Sequence, residues 1–523
     1  MREVPSRQPA FQMNAIDQLV AFFNPEDGVK RLRARALMST VNSYTGASRS
    51  RRTLKEWVPW LKDADRDTLP DRQVLVNRSR DLSRNNPIAL GAINTKVLNV
   101  VGDGLKLQSK IDYEFLGMTA DAASDWQRNT EREFHVWSES QECDAERTLN
   151  FYGLQELAFR SVLTSGDVFA LLPMFERGGF PYQTRVQLIE GDRISNPNHQ
   201  MDTIAMAGGV EKDSFGAPVA YHIQTQHPGS LITELRWNRV PAFGAKTGRR
   251  NVIHLYPKLR PHQSRGIPDL APVIETLKQL DRYTEAELMA AVVTGMFAVF
   301  FKTESAGGLA PMEPTSDIGG STADKDYKLQ SGIIGQLSPG ESIETVDPNR
   351  PNIAFDPFMQ AILRQVGVAL ELPFEVLIKH FTASYSASRA AMMEAWRFFR
   401  RRRKWLGESF NDPIYRTWLM EAVASGRIHA PGYLSGNAAI IRAYSACEWV
   451  GPAPGHIDPL REAKAEQLWV DMGVKSLSRV TTENTGSDWE DVHNQRKREV
   501  EMRRADGLQD PAATDSPNDA VQN

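Results

Sequence analysis

Four cationic side chains, Arg397, Arg400, Arg401 and Lys404, recur at i, i+3, i+4 and i+7 within AAMMEAWRFFRRRRKWLGESF. On a helix that spacing makes one charged stripe, while Met392, Trp396, Phe399, Leu406 and Phe410 fall on another, apolar one. Such a stripe supports two kinds of chemistry. It pairs with carboxylates of a neighbouring helix or subunit, or it contacts phosphates without reading base sequence. The consecutive arginines 400–403 point all round the helix at about 100° per residue, so some of them, Arg403 included, must enter contact surfaces. Arg397, Arg400, Arg401, Arg403 and Lys404 are therefore candidates for a subunit interface or for phosphate contact, and both readings stay open.

The stripe is preceded by a polar break, KHFTASYSASR, with Lys379 and His380 at its start and Arg389 at its end. Upstream of the break, Phe358, Ile362, Val366 and Leu370 repeat every four residues, which predicts a helix with Asp356 as N-cap and Pro373 beyond its end. Further upstream, Ile274, Leu277, Leu280, Leu288 and Val292 carry an apolar pattern over 268–294, with Pro268, Pro272, Asp269 and Glu275 near its start. A helix of that length spans ~40 Å at 1.5 Å per residue and acts as a strut. Between the two helices, 304–326 is rich in Gly, Ser, Thr and Asp, a flexible loop between FAVFFKT and the strand-like LQSGIIGQL. The order is a strut out, a small β tip, a strut back and a mobile basic linker.

The elements before the strut predict an α+β body. Residues 75–102 read as two helices broken at Asn86-Pro87, and 122–165 read as two more, with Trp126, Phe134 and Trp137 on spaced positions. DVFALLPMF, TRVQLIE, PVAYHIQT and NVIHLYP then read as strands between Gly, Pro and Asn turns. Residues 1–72 lack apolar periodicity and read as an arm, in which Trp57 and Trp60 argue for packing on something. Asp63, Asp65, Asp67 and Asp71, interleaved with Arg66 and Arg72, read as a solvated loop, because the central Gly and terminal Glu of a calcium loop are missing. Asp458 predicts the N-cap of a helix from Pro459, and the charged stretch after 490 reads as disordered.

Composition narrows the function classes. The chain has 523 residues, 24% of them charged, and a net charge of −3, so it is not a polycation that coats nucleic acid; DNA contact has to be local. Cys143 and Cys447 lie too far apart for a metal spacing and point to reduced thiols in a cytoplasmic setting. The apolar run 288–301 is split by Gly295 and falls short of the ~20 residues of a membrane helix. No signal peptide is expected. There is no G-x-S-x-G, H-E-x-x-H, C-x-x-C or Walker A sequence, so no catalytic, metal or cofactor-binding residue is assigned.

Four stretches, RSRDLSRNNPIALGAI, RPHQSRGIPDLAPVIETLKQLDRYTEAELMAA, LELPFEVLIKHFTASYSASRAAMMEAWRFFRRRRKWL and EWVGPAPGHIDPLREAKA, occur in the same order as in the lambda-type portal proteins of tailed bacteriophages, and the chain resembles that family from about 30 to 490. The resemblance implies a portal fold assembled as a ring, normally dodecameric, at a unique capsid vertex, with a channel for double-stranded DNA packaging and ejection. Its parts would be an arm at 1–72, a wing at 73–265, a stem helix at 266–294, a clip at 295–350, a returning stem helix at 351–375, a channel loop at 376–390, an inner wing helix at 391–425, a helical crown at 426–490 and a charged tail at 491–523. Lys379, His380 and Arg389 would then face the channel. The implied partners are other copies of the chain, sequence-independent double-stranded DNA, the terminase large subunit, scaffold, major capsid protein, and head-completion and tail-connector proteins. The implied places are the virion and, during assembly, the host cytoplasm. The rival reading is a phage nucleic-acid-binding adaptor or nuclease without a channel.

Overall fold

The computed structural model describes residues 19–20, 22–27, 29–31, 33, 44–48, 51–231, 236–296, 300–303, 341–344, 355–381, 384–454, 458–486 and 488–508. Two units separate by their internal contacts, Met1–Asp63 and Ala64–Asn523. In the first, a 3-10 turn covers Thr45–Ala47, and Trp57 and Trp60 are exposed in the single chain.

The second unit starts with α1 (Ala64–Asn85), whose Asp65 and Asp67 suit the positive N-terminal end of the helix dipole. The arm expected over 1–72 is thus helix from Ala64 onward. The solvated-loop reading of its acids is also corrected: Asp65 accepts from the Ser264 backbone N–H at 2.7 Å and from the Lys212 ammonium at 2.9 Å. Partners so distant in the chain leave no local pattern. Asn86 caps α2 (Pro87–Val100) by accepting from the Ala89 N–H, with Pro87 at the first turn, where a missing N–H costs nothing. After β1 (Lys106–Ser109) come α3 (Ala120–Glu139) and α4 (Phe151–Ser165), capped by Thr119 and Asn150.

The expected strands are present as β2 (Val168–Leu171), β3 (Gln187–Glu190), β6 (Pro218–Gln224) and β8 (Val252–Leu255); β4 (Met206–Ala207), β5 (Val210–Lys212) and β7 (Trp237–Pro241) join them. They form an antiparallel sheet β3-β2-β8 and a second sheet β4-β5-β6-β7. Phe169, Ile189, Val210, Tyr221 and Ile223 make a separate small core between them.

α5 (Ile274–Met296) begins later than the expected Pro268, because a 3-10 turn, Ala271–Val273, containing Pro272, precedes it. Leu277 and Leu280 are buried at its base, whereas Leu288 and Met289 are 65% and 57% exposed. β9 (Phe300–Thr303) and β10 (Glu341–Glu344) pair antiparallel beyond it; LQSGIIGQL lies outside the described residues. α6 (Phe355–Ala369) runs back, with the Tyr283 ring 5.6 Å from that of Phe355 and 5.1 Å from that of Phe358. Asp356 sits in its first turn instead of capping it. Next come α7 (Phe374–Ile378) and α8 (Tyr385–Leu406); a π-turn, Gly407–Asn411, carries α8 into α9 (Asp412–Ala424). β11 (Cys447–Val450) pairs with β1, joining distant parts of the chain.

The main core forms where these elements meet. Phe134 of α3 lies 5.7 Å from Phe151, 5.6 Å from Tyr415, 5.0 Å from Trp418 and 6.0 Å from Trp449, ring centroid to ring centroid. Cys143 is buried, Cys447 half-buried, and both are free. The last helices are α10 (Pro459–Asp471), capped by Asp458 as expected, α11 (Leu477–Thr485) and α12 (Trp489–Ala505). The segment from 491 was expected to be disordered, yet it is helical to Ala505. Asp488 caps it, Glu490 and Asp491 begin it, and Arg503 and Arg504 end it, so its charges match the helix dipole. Among the described residues no helix is long and apolar enough to cross a membrane.

Candidate nucleic-acid interface

Five residues of α7 fix the basic corner. Val376 and Leu377 are buried, so the short helix cannot turn, and Lys379 follows it with φ +56°, in the left-handed region. The His380 N–H returns to the Glu375 carbonyl at 3.1 Å, closing the helix end in a Schellman-type arrangement. A glycine usually occupies that position, so a lysine there holds a cation outward at some backbone cost. Lys379, His380 and Phe381 are exposed, and Arg389, one turn into α8, is half-buried.

The arginines of α8 divide by depth. Arg397, Arg400, Arg401 and Lys404 are exposed on one stripe; Arg397 pairs with Glu394 at 3.0 Å and Lys404 with Glu408 at 3.7 Å. Arg403 turns inward. Its guanidinium donates to the carbonyls of Val100 at 3.2 Å, Asn99 at 3.0 Å and Pro452 at 2.8 Å. Burial, with Arg400 nearby, pushes Arg403 down to about 10. Arg402 stands over the Phe398 ring, with Lys96 also 5.0 Å from that ring. Lys96, itself buried, pairs with Asp269 at 2.5 Å. The inward arginines therefore bind α8 to α2 and to the base of α5, and the outward ones leave a positive surface. Met392 is half-buried, while Trp396, Phe399, Leu406 and Phe410 are in the core, as the apolar stripe predicted.

A second polar centre carried no sequence signal of its own: in the SRGIPD stretch only Pro268 and Asp269 had a role, at the start of the strut, and Arg265 and Gly266 had none. Asp167, fully out of solvent, accepts from Arg72 at 2.6 Å, from Arg265 Nε at 2.6 Å and from the Gly266 N–H at 3.2 Å, with His254 Nε2 at 3.3 Å. Arg265 also donates to the carbonyls of Gly191 at 2.5 Å, Ile194 at 2.8 Å and Gly208 at 2.8 Å. The two guanidinium groups hold the Asp167 carboxyl well below the usual range, against its burial. His254 is pushed down to about 4 by burial and stays neutral. Gly166 and Gly266 make this contact possible: a Cβ on Gly266 would lie 1.9 Å from the Gly166 carbonyl oxygen. The cluster ties α1, both sheets and the approach to α5 at one point, so it positions the strut. Among the described residues a cluster with metal-ligand chemistry, Glu190, Asp192 and His227, has its Asp192 already paired with Arg80 at 2.5 Å.

The family model described as phage portal protein, lambda family, matches residues 50–403. The chain belongs to the lambda family of phage portal proteins. That family is structural rather than catalytic. Portal protein B of Escherichia phage lambda is 25% identical over 483 residues, 88% of this chain and 89% of its own. The portal protein of Escherichia phage N15 is 25% identical over 88% of this chain and 90% of its own. A probable portal protein of Halomonas phage phiHAP-1 is 24% identical over 90% of this chain and 86% of its own. Among solved structures, a chain of the virion of a native gene transfer agent particle aligns over 79% of this portal chain and 93% of its own, at TM-score 0.41 and 15% identity. A chain from the neck of the native particle, computed with C12 symmetry, aligns over 80% and 99% at TM-score 0.40 and 16% identity.

Proposed function

We propose that this portal protein closes into a ring, dodecameric as is usual in its family, at one vertex of a phage capsid, and that double-stranded DNA passes through its centre during packaging and ejection. One observation carries the ring. α5 and α6 leave the body as an antiparallel pair, and their outer ends keep Leu288, Met289 and Phe358 exposed. Isolated helices are marginal in water and owe most of their stability to tertiary packing, so neighbouring copies supply what the chain lacks. Heterologous contacts that close by rotation give a ring with a hole.

In this reading 73–265 is the wing, 266–294 and 351–375 are the stem, 295–350 is the clip, 391–425 is the inner wing helix and 426–490 is the crown. Residues 376–390 form the channel loop. Lys379, His380 and Arg389, repeated round the ring, hold phosphates weakly and without regard to sequence. The clip receives the terminase large subunit and later the head-completion and tail-connector proteins, and the wing meets scaffold and major capsid protein. Assembly takes place in the host cytoplasm, and the finished ring resides in the virion.

Mass photometry and negative-stain images of one purified sample test the ring. A particle with a central hole at about twelve subunit masses supports it. A uniform monomer or dimer, with scaffold and capsid protein also failing to give rings and with steeply salt-dependent DNA binding, moves the reading to an adaptor without a channel. Neutralising Lys379 and His380 in assembled rings tests the loop: unchanged packaging and ejection would remove it from the mechanism.

A further inference from the structure

Two rows of side chains on the stem helices have the same sequence of chemistry in opposite directions. On α5 the row is Glu275, Gln279 and Arg282, all exposed, with Gln279 donating to Glu275 at 3.1 Å. On α6 the row is Asp356, Gln360 and Arg364; Gln360 donates to Asp356 at 2.7 Å, and Arg364 donates to Gln360 at 3.0 Å. Asp356 and Arg364 are exposed and Gln360 is half-buried. Among the described residues none of the four charged groups has an ion-pair partner within the chain.

The level of each row along the stem is fixed by the ring contacts of Tyr283 with Phe355 and Phe358. Arg282 therefore lies level with Asp356. The helices run antiparallel and rise about 1.5 Å per residue. Stepping inward from that level, Gln279 comes level with Gln360, and Glu275 with Arg364. The charged ends are about 10 Å apart on α5 and about 12 Å apart on α6, so the two rows match in length as well as in sign. The rows lie to the side of the contact that joins α5 to α6, where the Tyr283 ring meets those of Phe355 and Phe358, and apart from Leu277, Leu280 and Val366, which are buried. In a ring whose axis runs along the stem, rotation keeps every residue at its own height, so groups that are level within one chain are level with the same groups of the next.

We propose that the Glu275, Gln279, Arg282 row of α5 docks on the Arg364, Gln360, Asp356 row of α6 in a second copy of the chain, pairing Glu275 with Arg364 and Arg282 with Asp356 at each joint of the ring. This rests on the ring reading above and names the surface that sets its register. Reversing the direction of either helix, or sliding one joint by a turn, sets a cation against a cation or leaves the ends unpaired. The rows thus select one register, which is what charge complementarity does best at an interface.

Charge reversal across the joint is the test. Glu275→Arg with Arg282→Glu reverses one row, and Arg364→Glu with Asp356→Arg reverses the other. Each reversed row alone is expected to lower the fraction of chains in rings, read by mass photometry at moderate salt, about tenfold or more, since like charges then meet at every joint. The two reversals combined are expected to restore rings, and that recovery also shows that the chains fold. Circular dichroism and thermal melting of the monomer fraction check each single-row variant. Rings that form equally well with either row reversed alone would overturn the docking and leave the ring reading standing. Loss in both single-row variants without recovery in the combination also overturns the pairing. A wild-type chain that gives no ring, even with scaffold and capsid protein, overturns the ring and the docking with it.

Discussion

Arg265 Nε donates to Asp167 Oδ2 at 2.6 Å, across 98 residues of sequence and with neither side chain reaching solvent. A carboxylate in that position is tolerable only because Arg72 and Arg265 both face it, and they in turn are tolerable only because of it. Its place just before the base of α5 makes the pair the anchor from which that helix departs.

Asp167→Asn removes the charge and leaves two guanidinium groups buried together. A loss of about 3–5 kcal/mol is expected, read as a fall in the urea midpoint of the chain. Wild-type stability in the variant would show that the two arginines find other partners.

His254 gives stability a pH dependence of known sign. Its folded value, pushed down to about 4, lies below its ordinary 6.5. Between those values the unfolded chain takes up a proton that the folded chain refuses, so stability is full above about 6.5 and declines as pH falls toward 4. Asp167, held below its ordinary value, adds a further loss at still lower pH. His254→Gln keeps a donor for Asp167 and is expected to flatten the curve of denaturation midpoint against pH between 6.5 and 4.

Glu131 acts in the opposite direction. Burial, with Asp488 and Asp491 nearby, pushes its carboxyl up to about 7, while the Ser109 N–H bonds it at 2.6 Å. The folded chain therefore holds a proton from 4.5 to about 7 that the unfolded chain gives up, and that stabilising contribution is lost as pH rises through 7. Asp488, which accepts from Gln108 at 2.5 Å, and Glu490, which accepts from Ser124 at 2.7 Å, dock the start of α12 beside this group. Glu131→Gln is expected to slow amide hydrogen exchange in 488–496 at pH 8 and to match the wild type at pH 5. Equal exchange at both pH values would count against the contact.

Arg403 and Arg401 stand two residues apart in sequence and have different consequences. Arg403→Ala strands three carbonyls and is expected to cost about 1–3 kcal/mol, with Arg403→Lys a poor substitute because an ammonium lacks the planar fork. Arg401→Ala, at the surface, is expected to leave the unfolding midpoint unchanged within error. Thermal or urea melts of the three variants, compared at one protein concentration, decide this.

The α+β body, most of its helices, four of its strands and the positive stripe of α8 were legible in the sequence, because helical and strand periods are local properties. The turn at Asn86-Pro87 and the cap at Asp458 were legible for the same reason: each needs only its nearest neighbours. The local signal misled where charges were concerned. Asp65 and Arg72 looked like a solvated run, and the charged stretch beyond 490 looked like coil; the first is tied to Ser264, Lys212 and Asp167, and the second is a capped helix. Among the arginines, composition supplied the cations, but only packing decided that Arg403 turns in to three carbonyls while Arg401 stays out. Sequence alone therefore determined most elements of the body and the family they make. Tertiary structure decided which charges meet, because an ion pair across a hundred residues depends on how the elements pack and on nothing that either residue's neighbours reveal.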